Sequence, residues 1–164
     1  MRTGLRRHGR RALQPKVFAP RTIYSTHGRR CAPSLLLNQP RPTQANWVWV
    51  SDITYLLLAN GIWAYLRAFQ DRCTKSVVGW QVRADMTEVL VTSALQRAML
   101  AQQLVPGLVV HSDRGGQYVG NAYKALLRDA HAQLSHSRRG ECYDNAQAES
   151  LWSHLKTEEL EARN

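Results

Sequence analysis

The chain has 164 residues, 44% of them apolar and 21% charged, with a formal charge of +10 and a pI near 10.2. That is enough chain to bury the core of one domain, and the mix is globular rather than disordered. The longest purely apolar runs, such as Tyr55 to Ala59, exclude a membrane-spanning helix, and the basic N-terminus lacks the apolar stretch of a signal peptide. Cys31, Cys73 and Cys142 lie far apart with no CxxC pair, which excludes a disulfide framework and a cysteine-rich zinc module and fits a reducing compartment.

The charge is segregated. Residues 1–45 hold ten of the 22 Lys and Arg, five of the six prolines and no Asp or Glu. Residues 46–164 hold twelve basic and twelve acidic residues and sum to zero. The first segment therefore reads as a basic arm or linker whose natural partner is a polyanion, the plainer alternative being a solubilising tail. Leu35-Leu36-Leu37 is the patch that would dock this arm on the body. The second segment, from Asn46 onward, has a dense, periodic pattern and reads as the folded domain.

Trp47 to Leu58 predicts a strand apolar on both faces, hence central in a sheet. Asn60-Gly61 predicts a two-residue hairpin into a second strand, Ile62 to Phe69. A turn around Asp71 and Arg72 leads to a third, Lys75 to Val82. Asp85-Met86-Thr87-Glu88 reads as a capping box opening a helix whose apolar face is Val91, Ala94, Leu95, Ala98 and Met99. Leu108 to His111 is a short buried strand, and a helix follows from about Val119. Gln133 to Ser135 is a fifth strand, and a last helix runs from about Ala146, capped by Asp144 or Asn145. The order β-β-β-α-β-α-β-α predicts an α/β domain with a mixed sheet, its fourth strand parallel to the first. Trp47, Trp49, Trp63 and Trp80 read as core or sheet-face packing and not as a base-stacking platform.

Three carboxylates carry chemistry. Asp52 lies inside the most apolar strand, where a carboxylate is costly unless paired or bound to a metal. Asp113 directly follows the fourth strand, at the strand end where open α/β sheets bind ligands. If that strand pairs with the first, the two aspartates lie on neighbours about 5 Å apart. Glu149, near the start of the last helix, reads alone as an acid favoured by the helix dipole and gains weight only beside the aspartates. Three such ligands suit Mg²⁺ or Mn²⁺ rather than zinc, and two ions about 4 Å apart would serve phosphodiester chemistry.

These residues resemble a known family. Asp52, Asp113 and Glu149 match the DDE triad of transposases and retroviral-type integrases, with sixty residues between the first two and thirty-five between the last two. Ser-Asp-Ile-Thr-Tyr, His-Ser-Asp-Arg-Gly-Gly-Gln-Tyr and Ser-Arg-Arg-Gly-Glu-Cys-Tyr-Asp-Asn-Ala-Gln-Ala-Glu-Ser look like bacterial insertion-sequence transposases with an integrase-type core, and Leu155-Lys156-Thr157-Glu158 continues the match. The resemblance covers about residues 33–161 and departs from the family at Gly116, commonly Ser, and at Glu141, commonly Asn.

The resemblance implies a ribonuclease H-like mixed five-stranded sheet flanked by helices. It implies DNA cleavage and strand transfer with two Mg²⁺ or Mn²⁺ ions on Asp52, Asp113 and Glu149. Its partners would be transposon ends and target DNA, with a homo-oligomer on the DNA, no membrane and no small-molecule substrate. The location would be the bacterial cytoplasm, at the nucleoid when bound. The family adds an N-terminal helix-turn-helix region and a further C-terminal helix, so a core truncated at its C-terminus is expected. An inactive DNA-binding remnant and a ribonuclease H-type hydrolase are the alternatives. Arg138 and Arg139, leading into the last helix, would grip the DNA backbone, and Lys156, seven residues past Glu149, would touch phosphate beside the metal site. His111 reads equally as a ligand-orienting group or a core histidine, Asp144 as a helix cap and Asp71 as a turn residue.

Overall fold

The computed structural model describes residues 32–58, 60–113, 120–137 and 146–161, the last without side chains at 146–149, 156 and 159–161. Its elements are β1 (Val48–Leu57), β2 (Trp63–Asp71), β3 (Val77–Arg83), α1 (Glu88–Ala101), β4 (Val109–Ser112), α2 (Asn121–Asp129), β5 (Gln133–His136) and α3 (Ala146–Glu161). The five strands form one sheet in the order β3-β2-β1-β4-β5. β1, β2 and β3 meander antiparallel, while β4 lies parallel to β1 and β5 parallel to β4. This is the mixed sheet that the element order predicts. The crossover through α1 is what returns β4 parallel to β1.

Alternation in β1 sorts the two faces of the sheet. Trp49 and Ile53 join Phe69 of β2 and Leu90, Val91, Ala94, Leu95 and Ala98 of α1 in the main core, with Tyr123 and Leu127 of α2. The other face carries a smaller cluster of Leu66, Ala68 and Trp152, which seats α3. Asp52 faces that second cluster, and its register partner across the strand pair is Ala68.

Three local expectations need correction. The hairpin loop is one residue longer than two-residue pairing would have it: Leu58 N–H donates to Ile62 O at 2.9 Å, and Gly61 takes the left-handed conformation at φ 78° within that loop. The capping box does not form, because Thr87 is the N-cap without a side-chain cap bond and its hydroxyl donates to Asp85 Oδ2 at 2.8 Å. Glu88 serves another helix instead. Its Oε1 accepts the Ala122 and Tyr123 N–H groups at 3.1 and 3.2 Å, at the exposed N-terminus of α2. Of the four tryptophans assigned to packing, only Trp49 is buried; Trp47, Trp63 and Trp80 are each more than a third exposed. β3 is an edge strand and Trp63 starts the hairpin return, so little is left to cover them.

Residues 32–36 run beside the outer strand. Ala32 N–H donates to His136 Nδ1 at 2.9 Å, Leu35 N–H to Ser135 Oγ at 2.9 Å, and His136 N–H to Pro33 O at 3.4 Å. This covers the edge that β5 would otherwise present to other chains. Asp71 does act as a turn residue: its Oδ1 accepts from Cys73 N, Thr74 N and Thr74 Oγ1, and its Oδ2 accepts Asn46 N–H at 2.6 Å. Among the described residues no helix is long and apolar enough to cross a membrane.

Candidate active site

The β1–β4 register sets the geometry. Ser51 pairs with Ser112, so the residues that follow, Asp52 inside β1 and Asp113 just past β4, stand side by side on adjacent parallel strands. Asp113 stands at the carboxyl end of β4, one residue past its last strand position. Burial first, and then the charge of Asp113, push the Asp52 carboxyl up to about 6. Two carboxylates therefore crowd one partly dry corner, where a divalent cation would relieve both the burial cost and the repulsion.

Asp52 is held on both oxygens. Oδ1 accepts Ile53 N–H at 2.7 Å, and Oδ2 accepts the indole N–H of Trp152 at 3.1 Å. Trp152 belongs to α3 and packs on Leu66 and Ala68, so this bond locks α3 onto β1 at the aspartate itself. Glu149 sits on α3 three residues before Trp152, a little under one helical turn. The helix that carries the third acid is thus seated against the strand that carries the first. The Glu149 side chain lies outside the described residues, as does that of Lys156. Arg138, Arg139, Asp144, Gly116 and Glu141 lie wholly outside them. Among the described residues no three His, Cys, Asp or Glu side chains form a metal cluster. The pair that is described, oxygen-only and mutually repelling, fits a hard cation such as Mg²⁺ or Mn²⁺.

His111 does not point at the acids. It is fully buried, with Nδ1 2.8 Å from Ser135 Oγ and Nε2 3.1 Å from Ser137 Oγ, so it ties β4 to β5 as a core histidine.

Two participants escape the sequence reading. Trp152 is one; an indole one turn past an acid on a helix gives no signal beyond packing. Arg67 is the other. Its side chain is fully buried on the main-core side of β2, Nη2 bonds Ser51 Oγ, and the guanidinium lies 4.6 Å from the Phe69 ring centroid. Burial lowers its pKa, opposed by Tyr123 with which it shares a hydrogen bond and by the charges of Asp113 and Asp52. Ser51 and its partner Ser112 directly precede the two aspartates, so Arg67 is a counter-charge set behind the sheet under the acidic pair. A signal for it was present: Tyr65, Arg67 and Phe69 alternate onto one face of a strand with no solvent side.

Residues 42–142 match the family profile described as integrase core domain. The chain belongs to the integrase core family. It is 39% identical over 150 residues to the 31 kDa protein of insertion element IS600 from Shigella sonnei, covering 92% of this chain and 54% of that protein. It is 38% identical over 154 residues to the transposase InsF of insertion sequence IS3A from Escherichia coli K12, covering 94% of this chain and 53% of that protein. The chain therefore spans about half the length of the curated relatives it matches. In structure it resembles the simian T-cell lymphotropic virus intasome in complex with PP2A regulatory subunit B56 gamma (TM-score 0.65, 18% identity, 79% of this chain and 44% of that one). It also resembles the HTLV-2 integrase catalytic core domain in complex with magnesium, trimeric form (TM-score 0.54, 16% identity, 68% of each chain). At those identities the likeness concerns the fold, which is the ribonuclease H-like architecture expected of an integrase core.

Proposed function

We propose that this integrase core performs DNA transposition, by metal-dependent phosphodiester cleavage followed by strand transfer. Asp52, Asp113 and Glu149 are the catalytic residues and the ligands of two Mg²⁺ or Mn²⁺ ions. The observation that carries the reading is the pair of aspartates on adjacent parallel strands, with Asp52 raised to about 6 by burial and by its neighbour. When bound, the ions supply Lewis acidity to the attacking and departing oxygens of an in-line displacement. The chain's own residues hold the acids in place. Trp152 fixes the rotamer of Asp52 and seats the helix of Glu149, while Arg67 offsets the negative charge from behind the sheet.

The DNA partners are the transposon ends and the target, engaged by a homo-oligomer, with Arg138, Arg139 and Lys156 on the phosphate backbone. The relatives named as transposases of bacterial insertion sequences and the neighbour named as an intasome support this assignment. The setting is the bacterial cytoplasm at the nucleoid. Labelled insertion-sequence ends incubated with the protein and Mn²⁺ test the proposal. Nicking at the end of the element is expected, with loss of at least about a hundredfold in Asp113→Asn, in line with removing a group that organises transition-state charge. Cleavage that survives that substitution refutes the assigned chemistry.

A further inference from the structure

At the end of the sheet away from Asp113, a cleft of about 430 Å³ opens beside the starts of β1 and β4. Its walls are mostly apolar, including Leu35, Pro40, Pro42 and Val105, and two arginines, Arg41 and Arg72, line it together with Trp47. No Asp or Glu lines it among the described residues. The volume falls in the range of sites that hold an organic group rather than a bare ion.

The cations here are built in, not loose. Arg41 Nε donates to Arg72 O at 3.2 Å and its Nη2 to Cys73 O at 2.8 Å, which fixes one guanidinium against the β2–β3 turn. Arg72 N–H donates to Val48 O at 2.8 Å, anchoring the second arginine at the head of β1. Arg72 Nη1 is buried with no hydrogen-bond acceptor among the described residues. Arg72 thus lines the cleft as a guanidinium with no carboxylate partner among the described residues and with donor capacity left over, the kind of group that pairs with an oxyanion. Burial and the neighbouring Arg41 both lower the Arg72 pKa, and Lys75 is lowered by burial and by the same two arginines. The corner thus concentrates like charge. The acid next to Arg72 in sequence, Asp71, already accepts hydrogen bonds from the turn and from Asn46. Trp47 is 47% exposed, while its backbone carbonyl is pinned by Val109 N–H at 2.9 Å. An exposed indole on a fixed backbone beside two fixed guanidiniums offers a stacking face next to a phosphate cradle.

We propose that this cleft binds one unpaired nucleotide of a DNA strand, its phosphate between Arg41 and Arg72 and its base against Trp47. Trp47 lies five residues before Asp52, about 16 Å along an extended strand. The cleft is therefore a second contact on DNA, separate from the acids. It rests on the reading that this chain handles DNA, but not on any catalytic role.

The test uses the full chain and a single-stranded oligonucleotide carrying 5-iodouracil. Irradiation of the unmodified protein is expected to cross-link the probe to the peptide containing Trp47. In a binding titration over a range of salt, Arg72→Gln is expected to weaken binding about fivefold and to reduce the log–log salt slope by about 0.7, one phosphate contact on a single strand. Trp47→Leu is expected to weaken binding about fivefold or more with the slope unchanged. Binding with unchanged affinity and slope in Arg72→Gln, and no cross-link at Trp47, overturns the cleft while leaving the DNA reading standing. Absence of any binding by the unmodified chain removes both. Because the cross-link is read on the unmodified chain, a variant that fails to fold does not shelter the proposal.

Discussion

At the residue scale, Asp52 combines two costs that evolution of a stable core would avoid: a carboxylate in a half-dry corner and a second one beside it. Its folded pKa of about 6 against an ordinary 3.8 fixes the sign of the pH dependence. Between those two values the folded chain holds a proton that the unfolded chain has released, so this group's contribution to stability falls as pH rises through that window. With the carboxyl fully ionised near neutrality the cost is about 3 kcal/mol, from roughly two units at 1.36 kcal/mol each. Asp52→Asn keeps the shape and the acceptor for Trp152 but removes the titration. Urea unfolding in the presence of a chelator should show the Asn variant gaining up to about 3 kcal/mol over the parent at pH 7, and little at pH 4. Added Mg²⁺ should stabilise the parent at pH 7 and leave the variant nearly unmoved. Equal pH profiles for the two proteins would contradict the crowding of Asp52 and Asp113. Arg67 bears on the same balance, since its buried positive charge lowers the carboxyl of Asp52 from the far face of the sheet.

At the scale of elements, the packing of α1 on β3 hangs on one missing side chain. A Cβ at Gly79 would stand 2.5 Å from Ala98 Cβ, 2.6 Å from Ala98 N and 2.7 Å from Ala94 O. Two of those atoms are helix backbone, which cannot swing away as a side-chain tip would. Gly79→Ala should therefore push α1 off the sheet and cost about 1–3 kcal/mol, the usual range for overpacking, seen as a fall in the thermal midpoint of several degrees. The same elements show what a sequence does and does not disclose. The order of the first four strands was legible because alternation, the Asn60-Gly61 turn and the crossover through α1 are local signals that agree with one another, while the place of β5 beside β4 was not. Asp52 and Asp113 were legible because a charge in an apolar strand and an acid at a strand end stand out without coordinates. The capping of α2 was not, since Glu88 reaches across from another helix and only the tertiary contact shows it. Nor was the exposure of Trp47, Trp63 and Trp80, because a large apolar residue at a strand position looks the same whether or not another layer covers it.

At the scale of the whole molecule, charge and fold are divided along the chain at different points. The surplus of positive charge sits in residues 1–45, yet residues 32–45 include the stretch that covers β5 and lines the cleft beside Trp47. Removing residues 1–31 takes away nine of the ten cations of that segment and spares every described contact. Removing residues 1–45 also strips Ala32 and Leu35 from His136 and Ser135 and uncovers the edge of the sheet. The two truncations should therefore behave differently. The shorter one should remain monodisperse, while its affinity for duplex DNA falls steeply and its salt slope drops by up to about eight, at 0.9 per phosphate released. The longer one should expose unpaired backbone groups along β5 and associate or precipitate, as uncovered edge strands do. Light scattering and a salt titration on the two proteins decide the matter. If the shorter truncation keeps the full salt slope, the phosphate contacts belong to the electrically neutral body, and the basic segment is a solubilising tail. If the longer one stays monodisperse, the strand edge is protected by something other than residues 32–36.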